Sequence, residues 1–77
     1  MIAIIVADRH EAFAVTLACH DAVALVPGDR VGSRRFDVIV SPKVLPATTP
    51  YTDDSATSWF TEQVLTRLTR EGRVVFI

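Results

Sequence analysis

The chain has 77 residues, about half of them apolar, with a formal net charge of −1 and a single cysteine. That length excludes a second domain and leaves a core near the size at which burial barely offsets chain entropy. The apolar content excludes a disordered chain, and the charge excludes a general electrostatic pull toward nucleic acid or anionic membrane. Cys19 has no partner for an intrachain disulfide; it reads as a small buried apolar residue on a helix, consistent with a reducing compartment.

The longest apolar run, "IAIIVA" at residues 2–7, is too short to cross a membrane. It has no basic segment before it, and Asp8 interrupts it, so neither a transmembrane span nor a signal peptide is expected. The run reads as a first strand. Asp8 then offers a carboxylate to the free amides of a helix start, and Glu11, three residues on, completes a capping-box spacing. A first helix over about residues 9–20 follows, with Phe13, Ala14, Leu17 and Ala18 as its apolar face. "AVALV" (22–26) and "FDVIV" (36–40) are the next strands, joined by "PGDRVGSRR", which has no helical period. "PKVLPATTPYTDD" carries three prolines and a cluster of Thr and Asp, the composition of an irregular loop. A second helix starts near Asp54 or Ser55 and points Phe60, Val64, Leu65 and Leu68 to the core. It stops at Gly72, with Arg67 and Arg70 in its last turns. "RVVFI" (73–77) closes the chain as a fourth strand.

The strands are nearly continuous apolar runs, the pattern of a parallel sheet covered on both faces. Two right-handed strand–helix–strand units then give the order 2-1-3-4, with one helix on each face of a miniature doubly wound sheet. An antiparallel hairpin between strands two and three is the competing arrangement, for which "PGDRVG" has the glycines.

In a sheet of that order, ligands settle at the carboxyl ends of the strands where the order reverses. Asp8, Arg9, His10, Ser41, Pro42 and Lys43 would line that crevice. No glycine-rich loop stands after the first strand, so a dinucleotide or phosphate-loop site is not expected. Asp8 serves first as a helix cap. His10 and His20 have no companion at metal-ligand spacing, and Ser41 has no nucleophile-elbow context, so no metal, cofactor or catalytic residue is assigned. Arg30, Arg34 and Arg35 form the single basic cluster, a solvated loop or a nucleic-acid contact without an aromatic platform.

"FDVIVSP" followed by "LTREGRVVFI" resembles the later half of Rossmann-fold methyltransferases, which places Ser41 and Pro42 at the end of a strand and Gly72 on the turn before the next. The cofactor-binding glycine loop and the acidic residue ending strand two have no counterparts, the chain offering "ADRHEA" and "LVPGD". With "IIVADRHEAFAVTLA" followed by a short "VPGDRVGSRRFDVIVSP" link and a C-terminal helix and strand, the chain over its whole length resembles small proteins of actinobacterial phages with a truncated Rossmann-like or ATPase-type sheet. The resemblance implies a Rossmann-like α/β domain over residues 1–77 and a phage accessory role in the host cytoplasm.

Three functions are open at this point. The first is a non-enzymatic protein-interaction module that binds a host or phage protein or itself, because two helices cannot cover both faces of a four-stranded sheet. The second is a small-ligand or nucleotide-like binder using Asp8 and Ser41, and the third a nucleic-acid accessory using the loop arginines. The fourth strand is an edge, with unpaired backbone groups beside Val74, Val75, Phe76 and Ile77, and with Trp59 it forms the expected surface of a homodimer.

Overall fold

The computed structural model describes all residues, 1–77. Its elements are β1 (Ile2–Ile5), α1 (Arg9–Ala18), β2 (Ala22–Leu25), β3 (Phe36–Ser41), α2 (Asp53–Trp59) and β4 (Leu68–Phe76). α2 runs on without a break into a π-helical turn, Phe60–Val64, and a 3-10 turn, Leu65–Arg67. The four strands form one sheet in the order β2-β1-β3-β4, and every neighbouring pair is parallel. The hairpin alternative is thereby excluded.

Strand alternation sends successive side chains to opposite faces, and the two faces are unequally covered. Ala3, Ile5, Leu25 and Ile39 pack with Phe36, Trp59, Phe60 and Val64 beneath α2 and its π turn, joined by Val23 and Val74 from the edge strands. On the other face, Ala12 and Val15 of α1 pack on Val6 and Val26, with Ile4 and Ala24 beside them. The second cluster reaches only β1 and β2 and the residues that follow them. Register places Ile4, Val40 and Val75 in one row across the sheet, and Ile2, Val38 and Arg73 in the next. No helix lies over the β3 and β4 part of those rows. Val38 and Val40 stay half-buried, and Val75 is 40% exposed.

Three expectations are corrected. The first helix ends at Ala18, and its buried positions are Ala12 and, partly, Val15; Phe13 and Leu17 are 66% and 63% exposed. The expected face was turned too far around the helix: with the Asp8 cap and the short β1–α1 link, it is Ala12 and Val15 that meet the sheet. Cys19, expected buried on the helix, is exposed at its C-terminal cap. The second helical stretch ends at Arg67, not Gly72, and β4 starts at Leu68 by pairing with Phe36. Between the Phe36 and Val38 pairings the fourth strand spends three extra residues as a bulge. Gly72 sits inside that bulge, where a Cβ would lie 2.7 Å from the Leu68 side chain and 3.0 Å from the Asp37 carbonyl oxygen. The glycine taken for a helix stop is a close approach of backbone to backbone, and Arg70 lies in the strand.

The link between β2 and β3 is ordered by its own polar groups. Val31 is buried in the larger core cluster. The Arg34 guanidinium donates to the carbonyls of Val31 and Arg30, Arg35 donates to the Thr66 carbonyl, and Arg67 Nε donates to the Gly32 carbonyl at 2.7 Å. Asp37, at the start of β3, accepts from the Met1 ammonium at 2.7 Å; that bond and charge hold its carboxyl below the usual carboxylate range.

Phe36 is fully buried where the link, β3 and β4 meet. Truncation to Ala at such a site costs about 3–5 kcal/mol, against a total near 4–12 kcal/mol for a chain of this length. Urea unfolding of Phe36→Ala, followed by Trp59 fluorescence, is expected to show stability lowered by about 3–5 kcal/mol. A loss below about 1 kcal/mol would contradict this packing.

Candidate functional site

The carboxyl end of β2 runs into Val26, Pro27, Gly28 and Asp29. The Asp29 amide donates to the Val26 carbonyl at 2.9 Å, and Gly28 has a φ of 97°. A proline followed by a residue of positive φ, closed by that hydrogen bond, is a type II turn. The turn points the Asp29 carboxylate back at the Val26 amide, which donates to it at 2.9 Å.

Asp29 then ties three elements together. Arg9, in the first turn of α1, donates through both terminal nitrogens to the two carboxylate oxygens. Trp59, at the end of α2, donates from Nε1 to the Asp29 carbonyl at 2.9 Å. The hydrogen bond from Arg9, and then the charge of Asp29, raise the guanidinium pKa above its ordinary value.

Asp8 and Arg9 line a crevice with residues 26–29 and Thr48, Thr49, Pro50 and Tyr51. The Tyr51 ring lies against Gly28, where a Cβ would overlap it, and Thr48 Oγ1 approaches the Pro27 carbonyl at 3.4 Å. The chain's own β3–α2 loop thus lies against the turn that ends β2 and forms one wall of the crevice at the carboxyl ends of β1 and β2.

The six residues expected to share one crevice are divided. Asp8 Oδ1 accepts from the Glu11 amide at 2.9 Å, so it is the helix cap, and Glu11 accepts in turn from the Ala7 amide. His10 is exposed and lines neither crevice. Ser41 is fully buried, and its hydroxyl donates to the Pro42 carbonyl at 3.0 Å, with no base in contact. Pro42 and Lys43 line a different groove, with Val44, Phe60, Leu65 and Phe76. Of the basic cluster, Arg34 and Arg35 are engaged with backbone carbonyls and Arg30 is exposed. No group of three His, Cys, Asp or Glu residues is close enough to hold a metal.

Trp59, expected at an interface, is only 6% exposed and belongs to the core. Val75, Phe76 and Ile77 are exposed at the sheet's edge, while Val74 packs inward. Sequence reading missed Asp29 as the organising residue; the "VPGD" turn preceding it was the available signal. No family model, curated protein or solved structure matches the chain.

Asp29→Ala leaves the Val26 amide and Arg9 without their acceptor and is expected to cost about 1–3 kcal/mol in chemical unfolding. Arg9→Ala, which removes an exposed partner, is expected to cost no more than about 1 kcal/mol. Equal losses for the two variants would show that the ion pair, rather than the turn, carries the contribution of Asp29.

Proposed function

We propose that this chain is a non-enzymatic protein-interaction module whose working surface is the uncovered sheet face over β3 and β4. The observation that carries the reading is the one-sided cover: α1 packs over β1 and β2, while Val38, Val40 and Val75 of the same face have no helix above them. A contiguous exposed apolar patch rimmed by polar groups is a feature of interaction sites. The likeness to small phage proteins supports a phage accessory role in the host cytoplasm, with a host protein or the chain itself as partner.

The small-ligand reading has less support. Its crevice residues are divided between two places, Asp8 is committed to capping, and Ser41 has no base in contact. The nucleic-acid reading has less as well, since two of its three arginines are bonded to backbone carbonyls and no aromatic side chain stands among them for stacking.

Affinity capture from a host lysate, with and without nuclease, tests the reading. The expected result is a protein partner that survives nuclease, is retained by the unmodified chain and is lost with Val75→Lys. Nuclease-sensitive, salt-dependent retention of DNA or RNA would contradict it. So would a rise of several degrees in melting temperature with a nucleotide or S-adenosyl compound.

A further inference from the structure

Beyond that face, we infer that the open edge of β4 is a docking site for an extended acidic segment of a protein. The segment is taken up as an added strand, and its carboxylates meet a cluster of arginines at the amino ends of β3 and β4.

The fold builds that cluster from two distant parts of the chain. Pairing of Phe36 with Leu68 sets Arg35 and Arg67 side by side, and Arg70 and Arg73 follow along β4. Arg34 stands in the β2–β3 link, which Arg67 and Arg35 stitch to the end of the second helical stretch through the Gly32 and Thr66 carbonyls. Five of the eight basic side chains thus gather at one end of the sheet. Arg30 stands apart, lining a groove with Asp54 and Glu62.

The chain itself does not neutralise these charges. Bonds to neutral carbonyls hold Arg34, Arg35 and Arg67 in place without cancelling their charge. The ion pairs of the molecule are Met1 with Asp37 and Arg9 with Asp29, and neither involves the cluster. Asp37, in β3, already accepts from the Met1 ammonium and the Thr69 hydroxyl. Glu71 lies in the β4 bulge with no arginine in ion-pair contact. Guanidinium groups so placed match carboxylates two bonds at a time.

The edge favours a polypeptide over a nucleic acid. β4 is the last strand of the sheet, and from Arg73 to Phe76 it pairs regularly with β3, so its outward amides and carbonyls are open to an extended backbone. A nucleic acid has no use for those groups. Charge also limits the length of a bound polyanion: outside the cluster the chain carries three basic side chains, Arg9, Arg30 and Lys43, against eight acidic ones besides Glu71. That excess repels whatever extends past the cluster. No aromatic ring stands among the arginines to stack a base, since Trp59 is in the core and Phe76 is at the other end of β4.

Fluorescence anisotropy with a labelled octapeptide of alternating Glu and Val, blocked at both ends, tests the inference on the whole chain. The peptide is expected to bind at low salt and to lose at least about tenfold in affinity between roughly 20 and 200 mM salt. Joint replacement Arg70→Gln and Arg73→Gln should weaken binding at least about fivefold. Both residues are exposed, so the variant folds. Arg30→Gln with Lys43→Gln removes the same charge from exposed positions outside the cluster and leaves binding unchanged. The same peptide N-methylated at alternate residues keeps its carboxylates but loses strand hydrogen bonds, and should bind at least about fivefold more weakly. Absence of binding at low salt overturns the inference. So does an N-methylated peptide that binds equally well, an equal loss in the two double variants, or an oligothymidine of equal charge that binds as tightly as the peptide.

Discussion

Asp29 is the point through which the two halves of this domain are joined. A parallel sheet of four strands needs a crossing from β2 past β1 to β3, and the crossing here is too short for a helix. The type II turn at Val26–Asp29 starts it. The Asp29 carboxylate closes that turn on the Val26 amide and takes Arg9 from one helix, while its carbonyl takes Trp59 from the other. The helices lie on opposite faces of the sheet, so a single residue fixes both against the strand ends. The exposed Arg9 pair adds little by itself; the partly buried backbone bonds to Val26 and Trp59 carry more, because an orphaned group there forfeits its hydrogen bond to water as well.

That joint also shapes the crevice at the carboxyl end of the sheet that Asp8 and Arg9 line. The turn requires Gly28 at positive φ, and the bare glycine receives the Tyr51 ring, which draws the β3–α2 loop against it. Space used by a cofactor in larger doubly wound sheets is walled here by the chain itself. What is left unsatisfied is apolar rather than polar: a two-strand width of one face, with Val38, Val40 and Val75, that two helices on a four-stranded sheet have no means of covering.

The strand order and the placement of one helix per face were legible because they follow from patterns with few solutions: four apolar runs, one clear helix between the first two, and the handedness of crossovers. The capping by Asp8 was legible for the same reason. The rotation of α1 was not, since "AFAVTLA" offers apolar residues on more than one side and the choice of Ala12 over Phe13 is made by the approach to the sheet. Nor was the early start of β4 at Leu68, where pairing with Phe36 overrides the helical preference of "VLTRLTREG". Of the candidate site, Asp8 and Arg9 do line one crevice. Their grouping with Ser41 and Lys43 failed because β3 delivers Lys43 to a groove beside Phe76, a matter of loop path that no local pattern encodes.

The central claim is that half of one sheet face is bare in the single copy. The most direct measurement is the broadening of valine and isoleucine methyl signals by a soluble paramagnetic probe, recorded on a dilute sample. The account predicts strong attenuation of Val75 and Val40 and little of Ile39 and Val74, which pack beneath α2 on the opposite face. Val75 and Val40 methyls as protected as those of Ile39 would contradict it.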